Sequence, residues 1–158
     1  KWNCKYNCKY YLTFRKHETN LWIINKIKNK MKDKILAVKK FHESFKLDFL
    51  EKPKANLGKS KNTLRFNLMR EENEEYLEAA NTNDLIEVAD ALGDMLYILC
   101  GTIIEHGLQY KIDEIFDEIQ LSNMSKLDNN GNPIFREDGK VLKGPNYFRP
   151  NIKKILKN

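Results

Sequence analysis

Residues 71–94, EENEEYLEAANTNDLIEVADALGD, hold nine carboxylates and no Lys or Arg. The nine are Glu71, Glu72, Glu74, Glu75, Glu78, Asp84, Glu87, Asp90 and Asp94. Glu71 and Glu75 are four apart, Glu72 and Glu75 three apart, and Asp90 and Asp94 four apart, so each pair shares one helix face. Asn81-Thr82-Asn83-Asp84 is a turn signal, and two helices joined by a short turn lie antiparallel. Their acidic faces can then converge on one cavity, as in helix-bundle metal sites. Like charges on one face repel by a few tenths of a kcal/mol per pair. A hard divalent cation offsets that repulsion, and Mg²⁺ takes oxygen ligands while keeping positions open for phosphates.

A charge run is also what a solvated helix face looks like, and Glu74 and Glu78 fit that reading. Asp84 and Glu87 read as a capping box that opens the second helix. Two features favour a site for the rest. Leu64, Leu68, Glu71 or Glu72, Glu75 and Ala79 mark one face of the first helix, so the carboxylates continue an apolar stripe. The second helix is apolar nearly all round from Leu92 to Ile104, which predicts burial with Asp94 inside it. Asp90, Asp94, Tyr97 and Gly101 form a second stripe there. Tyr97 and Gly101 fit either close packing or room for a base or sugar beside Asp94.

Outward from this core the helical pattern continues. Ile35, Val38, Phe41 and Phe45 predict a helix over 32–47, with His42 on its surface or rim and without a catalytic role. Pro53 and Gly58 mark a loop over 48–60. Helices are expected from Ser60 or Asn62 to Ala80, from Leu85 to Glu105 or His106 with Gly107 ending it, and over 111–121. Pro133-Ile134-Phe135-Arg136 and Lys140-Val141-Leu142-Lys143 flank Glu137-Asp138-Gly139, which predicts a hairpin. The expected fold class is all-α, a four- to five-helix bundle with a short C-terminal β-hairpin.

The 158 residues bound one domain with tails. The chain divides into a basic extension over 1–30, expected to be disordered or loosely helical, a domain over 31–150, and a basic end over 151–158. Met31 stands where the regular pattern begins. Net charge is +6, which invites a nucleic-acid partner. Residues 1–30 alone carry +7, however, and the remainder sums to −1, so the domain itself does not have a nucleic-acid binder's charge. Cys4, Cys8 and Cys100 imply no disulfide framework and a reducing, cytoplasmic setting. Organelle targeting by residues 1–30 is the alternative. Cys4, Cys8 and His17 lack a fourth ligand and a zinc spacing. No apolar run reaches the roughly eighteen residues that span a bilayer, so no membrane partner is expected.

Glu71-Glu72-Asn73-Glu74-Glu75 fits an EExxE pattern, and Asp90 to Tyr97, DALGDMLY, resembles the second acidic motif of the all-α nucleoside triphosphate pyrophosphohydrolases. SNMSKL at 122–127 and GKVLKGPNY at 139–147 resemble the phosphoribosyl-ATP pyrophosphohydrolase-like branch of that MazG-like superfamily. The resemblance covers about residues 31–150. One departure stands out. The commonest second motif is ExxD, and its Glu position here is Ala91, with Asp90 as the neighbouring acid. A one-residue shift turns a side chain by about 100° around the helix.

The resemblance implies that Glu71, Glu72, Glu75, Asp90 and Asp94 hold Mg²⁺, with Mn²⁺ as a substitute, and that Glu72 is the general base for a water nucleophile. It implies hydrolysis of the α–β phosphoanhydride bond of a nucleoside triphosphate to monophosphate and pyrophosphate. Lys126 and Lys143 are the cations expected to face the substrate, and Asn123, Asn146 and Tyr97 are expected to contact it. A homodimer or homotetramer follows by the same analogy. Two rivals stand beside it. One is phosphoribosyl-ATP hydrolysis in histidine biosynthesis. The other is a non-catalytic helical module with a nucleic-acid-binding basic arm.

Overall fold

The computed structural model describes the backbone of residues 18–157 and the side chains of residues 31–157. The expected disorder of residues 1–17, and Cys4, Cys8 and His17, lie outside the described residues. Five helices are described: α1 (Glu18–Ser44), α2 (Lys59–Thr82), α3 (Leu85–Glu105), α4 (Ile112–Met124) and α5 (Ile152–Lys157). The chain forms two compact units, one of residues 30–112 and one that includes residues 113–157. Among the described residues no helix is long and apolar enough to cross a membrane.

In the first unit α2 and α3 pack along each other as a helical hairpin. Its turn follows from local chemistry. Asn83 takes the left-handed conformation that ends α2, and its N–H and that of Asp84 return to the carbonyls of Ala80 and Ala79. The Asp84 carboxylate then accepts from the N–H groups of Ile86 (3.0 Å) and Glu87 (3.2 Å), opening α3 as the cap reading predicts. Ile35 and Val38 of α1 bury against Cys100 and Ile104 of α3, with Phe49 and Ile112 around them. The loop over 45–58 is laced to the end of α3: Leu50 N–H donates to Ile104 O, and Lys54 N–H to His106 O (both 3.0 Å). Gly107 ends α3 with φ +68°, and a Cβ there would collide with the Lys52 carbonyl.

An internal ion pair fixes the register of the hairpin. The Arg65 guanidinium donates to Ile98 O (2.6 Å), Thr102 Oγ1 (3.0 Å) and Glu105 Oε1 (3.3 Å). Arg65 and Glu105 side chains are each only 11% exposed, and burial lowers the Arg65 pKa against the pull of Glu105. Gly101 makes this possible, because a Cβ there would stand 2.9 Å from an Arg65 nitrogen and 3.3 Å from His42 Nε2. His42 is buried rather than on the rim, because Asp48, beyond the helix end, brings its carbonyl within 3.2 Å of His42 Nδ1.

The second unit is held by side-chain to backbone bonds. Ser122 Oγ donates to Phe148 O (2.8 Å), Phe148 N–H donates to Ser125 Oγ (3.2 Å), and Asn151 N–H donates to Glu118 Oε1 (2.7 Å). Ile115 and Ile155 are buried. Gly144 is buried against the Lys126 and Leu127 carbonyls, leaving no space for a side chain. The expected β-hairpin does not form. The turn is real, with Gly139 N–H donating to Arg136 O and the Arg136–Asp138 ion pair across it. Its arms meet in a single antiparallel bridge, Phe135 to Val141. Both residues are exposed, and two strands without a buried face are marginal in water.

Arg65→Met is expected to destabilise the fold by about 2–4 kcal/mol in chemical denaturation, because it leaves Glu105 buried and unpaired. Adding Glu105→Leu should recover much of that loss. An unchanged midpoint in the single variant would remove the pair from its structural role.

Candidate active site

The hairpin sets Glu71, Glu72 and Glu75 on α2 and Asp90 and Asp94 on α3. Glu72 is half-buried and the other four are exposed. Its surroundings hold the Glu72 carboxyl above the ordinary glutamate range: burial first, then the charges of Glu75, Asp94, Asp90 and Glu71. Those neighbours, with Glu72, are the five carboxylates read from the sequence, drawn from both helices. Asp94 corrects one expectation. It is exposed, because α3 keeps only part of its apolar surface covered in the chain. Leu85, Ile86, Leu92, Leu96 and Leu99 are all exposed too.

None of the ion pairs made by the basic side chains of α2 reaches these five carboxylates. Arg70 pairs with Glu74 (3.6 Å), Arg65 with Glu105, and Lys61 with Asp48. Glu74 and Glu78 are exposed, as a solvated face requires. Among the described residues no three His, Cys, Asp or Glu side chains converge closely enough to hold a metal ion as they stand. The donor set still fits a hard divalent cation. It offers oxygen ligands only, the type such a cation takes. Toward the turn, Glu75, Glu78, Thr82, Asp84 and Glu87 line an open cleft of about 390 Å³.

The other candidates fall into two groups. Tyr97 is 43% exposed and meets Phe41 edge-on, with ring centroids 5.7 Å apart. Gly101 is filled by Arg65 and His42, so it leaves room for an arginine and not for a base. Asn123, Lys126, Lys143 and Asn146 belong to the second unit. There Lys126 Nζ donates to Asn123 Oδ1 (2.7 Å), Lys143 Nζ sits 4.4 Å above the Tyr147 ring, and Asn146 Nδ2 donates to Asn129 Oδ1 (3.0 Å). Sequence reasoning missed Arg65 and Glu105. The available signal was a cation between Leu64 and Leu68 and an acid ending an apolar helix, in antiparallel elements.

The family description "Phosphoribosyl-ATP pyrophosphohydrolase" matches residues 38–123, more than half of the chain and both acidic motifs. The chain belongs to the phosphoribosyl-ATP pyrophosphohydrolase family. It is a pyrophosphohydrolase enzyme. The family match ends at Asn123, so the segment carrying Lys126, Lys143 and Asn146 lies beyond it. Among solved structures, the pyrophosphohydrolase is similar to a presumed NTP pyrophosphohydrolase from Exiguobacterium sp. 255-15. The two are 25% identical over 76% of this chain and 90% of that one, with a TM-score of 0.41. No curated protein matches the chain.

The raised Glu72 pKa means that the fold binds this proton more tightly than the unfolded chain does. Folding is therefore favoured below the ordinary glutamate pKa, and that advantage is lost as pH rises through the raised value. Glu72→Gln is expected to raise Tm of the metal-free protein at pH 7 by about 1–2 °C, with the gain gone below about pH 4. Differential scanning calorimetry across that range checks it, and an equal shift at both ends would refute it.

Proposed function

We propose that the enzyme hydrolyses the α–β phosphoanhydride bond of a nucleoside triphosphate in a Mg²⁺-dependent reaction, releasing monophosphate and pyrophosphate. The observation that carries this reading is the electrostatic grouping of Glu71, Glu72, Glu75, Asp90 and Asp94 across two helices. These five carboxylates would hold the cation, with Mn²⁺ as a substitute for Mg²⁺. When bound, the cation supplies charge neutralisation at the substrate phosphates and acidifies water.

The remaining chemistry belongs to the chain. Water adds to a phosphorus of the anhydride, one P–O bond forms, and the anhydride P–O bond breaks with pyrophosphate leaving. Glu72 accepts the proton of the attacking water. Its raised pKa makes it a better proton acceptor than a solvated glutamate. Lys126 and Lys143 place positive charge on the phosphates, which the acidic helices cannot do. Asn123, Asn146 and Tyr97 orient the nucleotide. The domain that does this is residues 31–150.

A second reading, phosphoribosyl-ATP as substrate, is favoured by the family description itself. A homodimer or homotetramer is part of the proposal. Leu64, Phe66 and Leu77 on α2 and Leu85, Leu92 and Leu99 on α3 are exposed apolar side chains that a second copy would cover.

Pyrophosphate release from nucleoside triphosphates, dUTP and phosphoribosyl-ATP, with and without Mg²⁺, tests the reading and ranks the substrates. Glu75→Ala and Asp94→Ala are expected to lower kcat by about 100-fold or more while helicity by circular dichroism persists. Lys143→Ala should raise KM about tenfold. Mg²⁺-dependent release undiminished in Asp94→Ala would refute the assignment. Sedimentation of the full chain should report a dimer or larger, and a monomer at micromolar concentration would refute that part.

A further inference from the structure

Phe41, Phe45 and Tyr97 form an aromatic cluster that the carboxylate chemistry does not use. Phe41 and Phe45 stand one turn apart at the end of α1, with ring centroids 4.3 Å apart and planes inclined by 33°. Tyr97 of α3 meets Phe41 edge-on at 82°. These rings touch one another and are still open to water, at 36%, 65% and 43% exposure. The buried core of the same unit lies at Ile35, Val38, Cys100 and Ile104 instead.

The backbone beneath the rings is fixed. Phe45 N–H donates to Phe41 O (2.9 Å), Leu47 N–H donates to His42 O (2.8 Å), and Lys46 takes a left-handed conformation that closes α1. His42, between the two phenylalanines in sequence, is buried and held to Asp48 O. The backbone that carries Phe41 and Phe45 is therefore set before any ligand arrives, which lowers the ordering cost of binding.

Their position along the hairpin matters as much. Tyr97 follows Asp94 by three residues, about 4.5 Å farther along the same face of α3. On the other side of Asp94, toward the turn, lies the cleft lined by Glu75, Glu78, Asp84 and Glu87. From the turn outward the carboxylate group therefore comes before the aromatic rings. A nucleotide carries the matching order, with its phosphates before its planar base.

We propose that Phe41, Phe45 and Tyr97 form a shelf that receives the face of the substrate's nucleobase, an inference that rests on the pyrophosphohydrolase reading above. Every base has a π-face, so stacking on such a shelf is tolerant of base identity. Among the three rings the Tyr97 hydroxyl is the one polar group. The shelf therefore selects for the presence of a base more than for which base it is.

Calorimetric titration of the full chain with AMP, GMP, CMP, UMP and ribose 5-phosphate, with Mg²⁺ present, tests this. Each monophosphate is expected to bind about tenfold or more tightly than ribose 5-phosphate. Phe45→Ala should cut that margin about tenfold, and so should Phe45→Leu, which keeps apolar volume without a π-face. Phe45→Trp should retain it. No margin in the wild-type protein, or a margin untouched by Phe45→Ala, Phe45→Leu and Phe41→Leu, overturns the shelf. A variant that changes the sedimentation state while leaving the margin intact also overturns it and marks an interface instead. An intact margin in a protein that releases no pyrophosphate supports the shelf and overturns the catalytic reading, so the two fail separately.

Discussion

The Arg65 guanidinium is the constraint on which the α2–α3 hairpin depends. Three of its donors are satisfied by one stretch of α3, at Ile98, Thr102 and Glu105. Its nitrogen stands where a side chain of Gly101 would begin. That contact sets residue 65 opposite residue 101. Seven residues on along α2 is Glu72, and seven residues back along α3 is Asp94. Seven residues are nearly two full turns, so both side chains return to the face from which the count began. A structural ion pair thus brings the two acidic motifs into register, and the electrostatic link from Glu72 to Asp94 follows from it.

Much of this was legible in the sequence, for reasons that differ between elements. The positions of α2, α3 and α4 followed from apolar periodicity, whereas α5 was not foreseen, and the turn at Asn83 and the cap at Asp84 followed from side-chain chemistry that acts within a few residues. The electrostatic grouping of the five carboxylates was legible because spacing of three and four is itself geometry. What failed depended on distant partners. His42 was placed on the rim because the Asp48 carbonyl that covers it lies past the helix end. Gly101 was ambiguous until Arg65, 36 positions away in sequence, filled its space. Asp94 was expected to be buried because α3 is apolar all round, yet periodicity does not say what covers an apolar face. The hairpin failed because turn residues specify a reversal, whereas a ladder also needs a face to bury.

Ala91 shows how a departure from the resemblance is absorbed. It is buried to 3% exposure, whereas Asp90 and Asp94 are open. A carboxylate buried at 91 would lose hydration, and alanine removes that cost. Asp90, one residue earlier, keeps a second acid on α3 within electrostatic reach of Glu72. The negative charge of the group is conserved in number while its distribution around the helix changes.

The charge order of α2 is the clearest sign that this helix is not arranged for its own stability. Its cations, Lys59, Lys61, Arg65 and Arg70, all precede its glutamates, Glu71, Glu72, Glu74, Glu75 and Glu78. Its first turn has no acid and its last turn no base. The helix dipole favours the reverse order at both ends. Exchanging a few residues would place the glutamates beside the arginines and quiet both the dipole and the mutual repulsion. Lys61 and Arg65 are instead engaged away from these glutamates, by Asp48 and Glu105, and only Arg70 meets one of them, Glu74. Among the described residues no ion pair reaches Glu71, Glu72, Glu75, Asp90 or Asp94, and burial with the neighbouring carboxylates holds the Glu72 carboxyl above the ordinary glutamate range. Local rules broken in one place are the pattern that functional sites show. A face made only of carboxylate oxygens is the donor set of the cation proposed above.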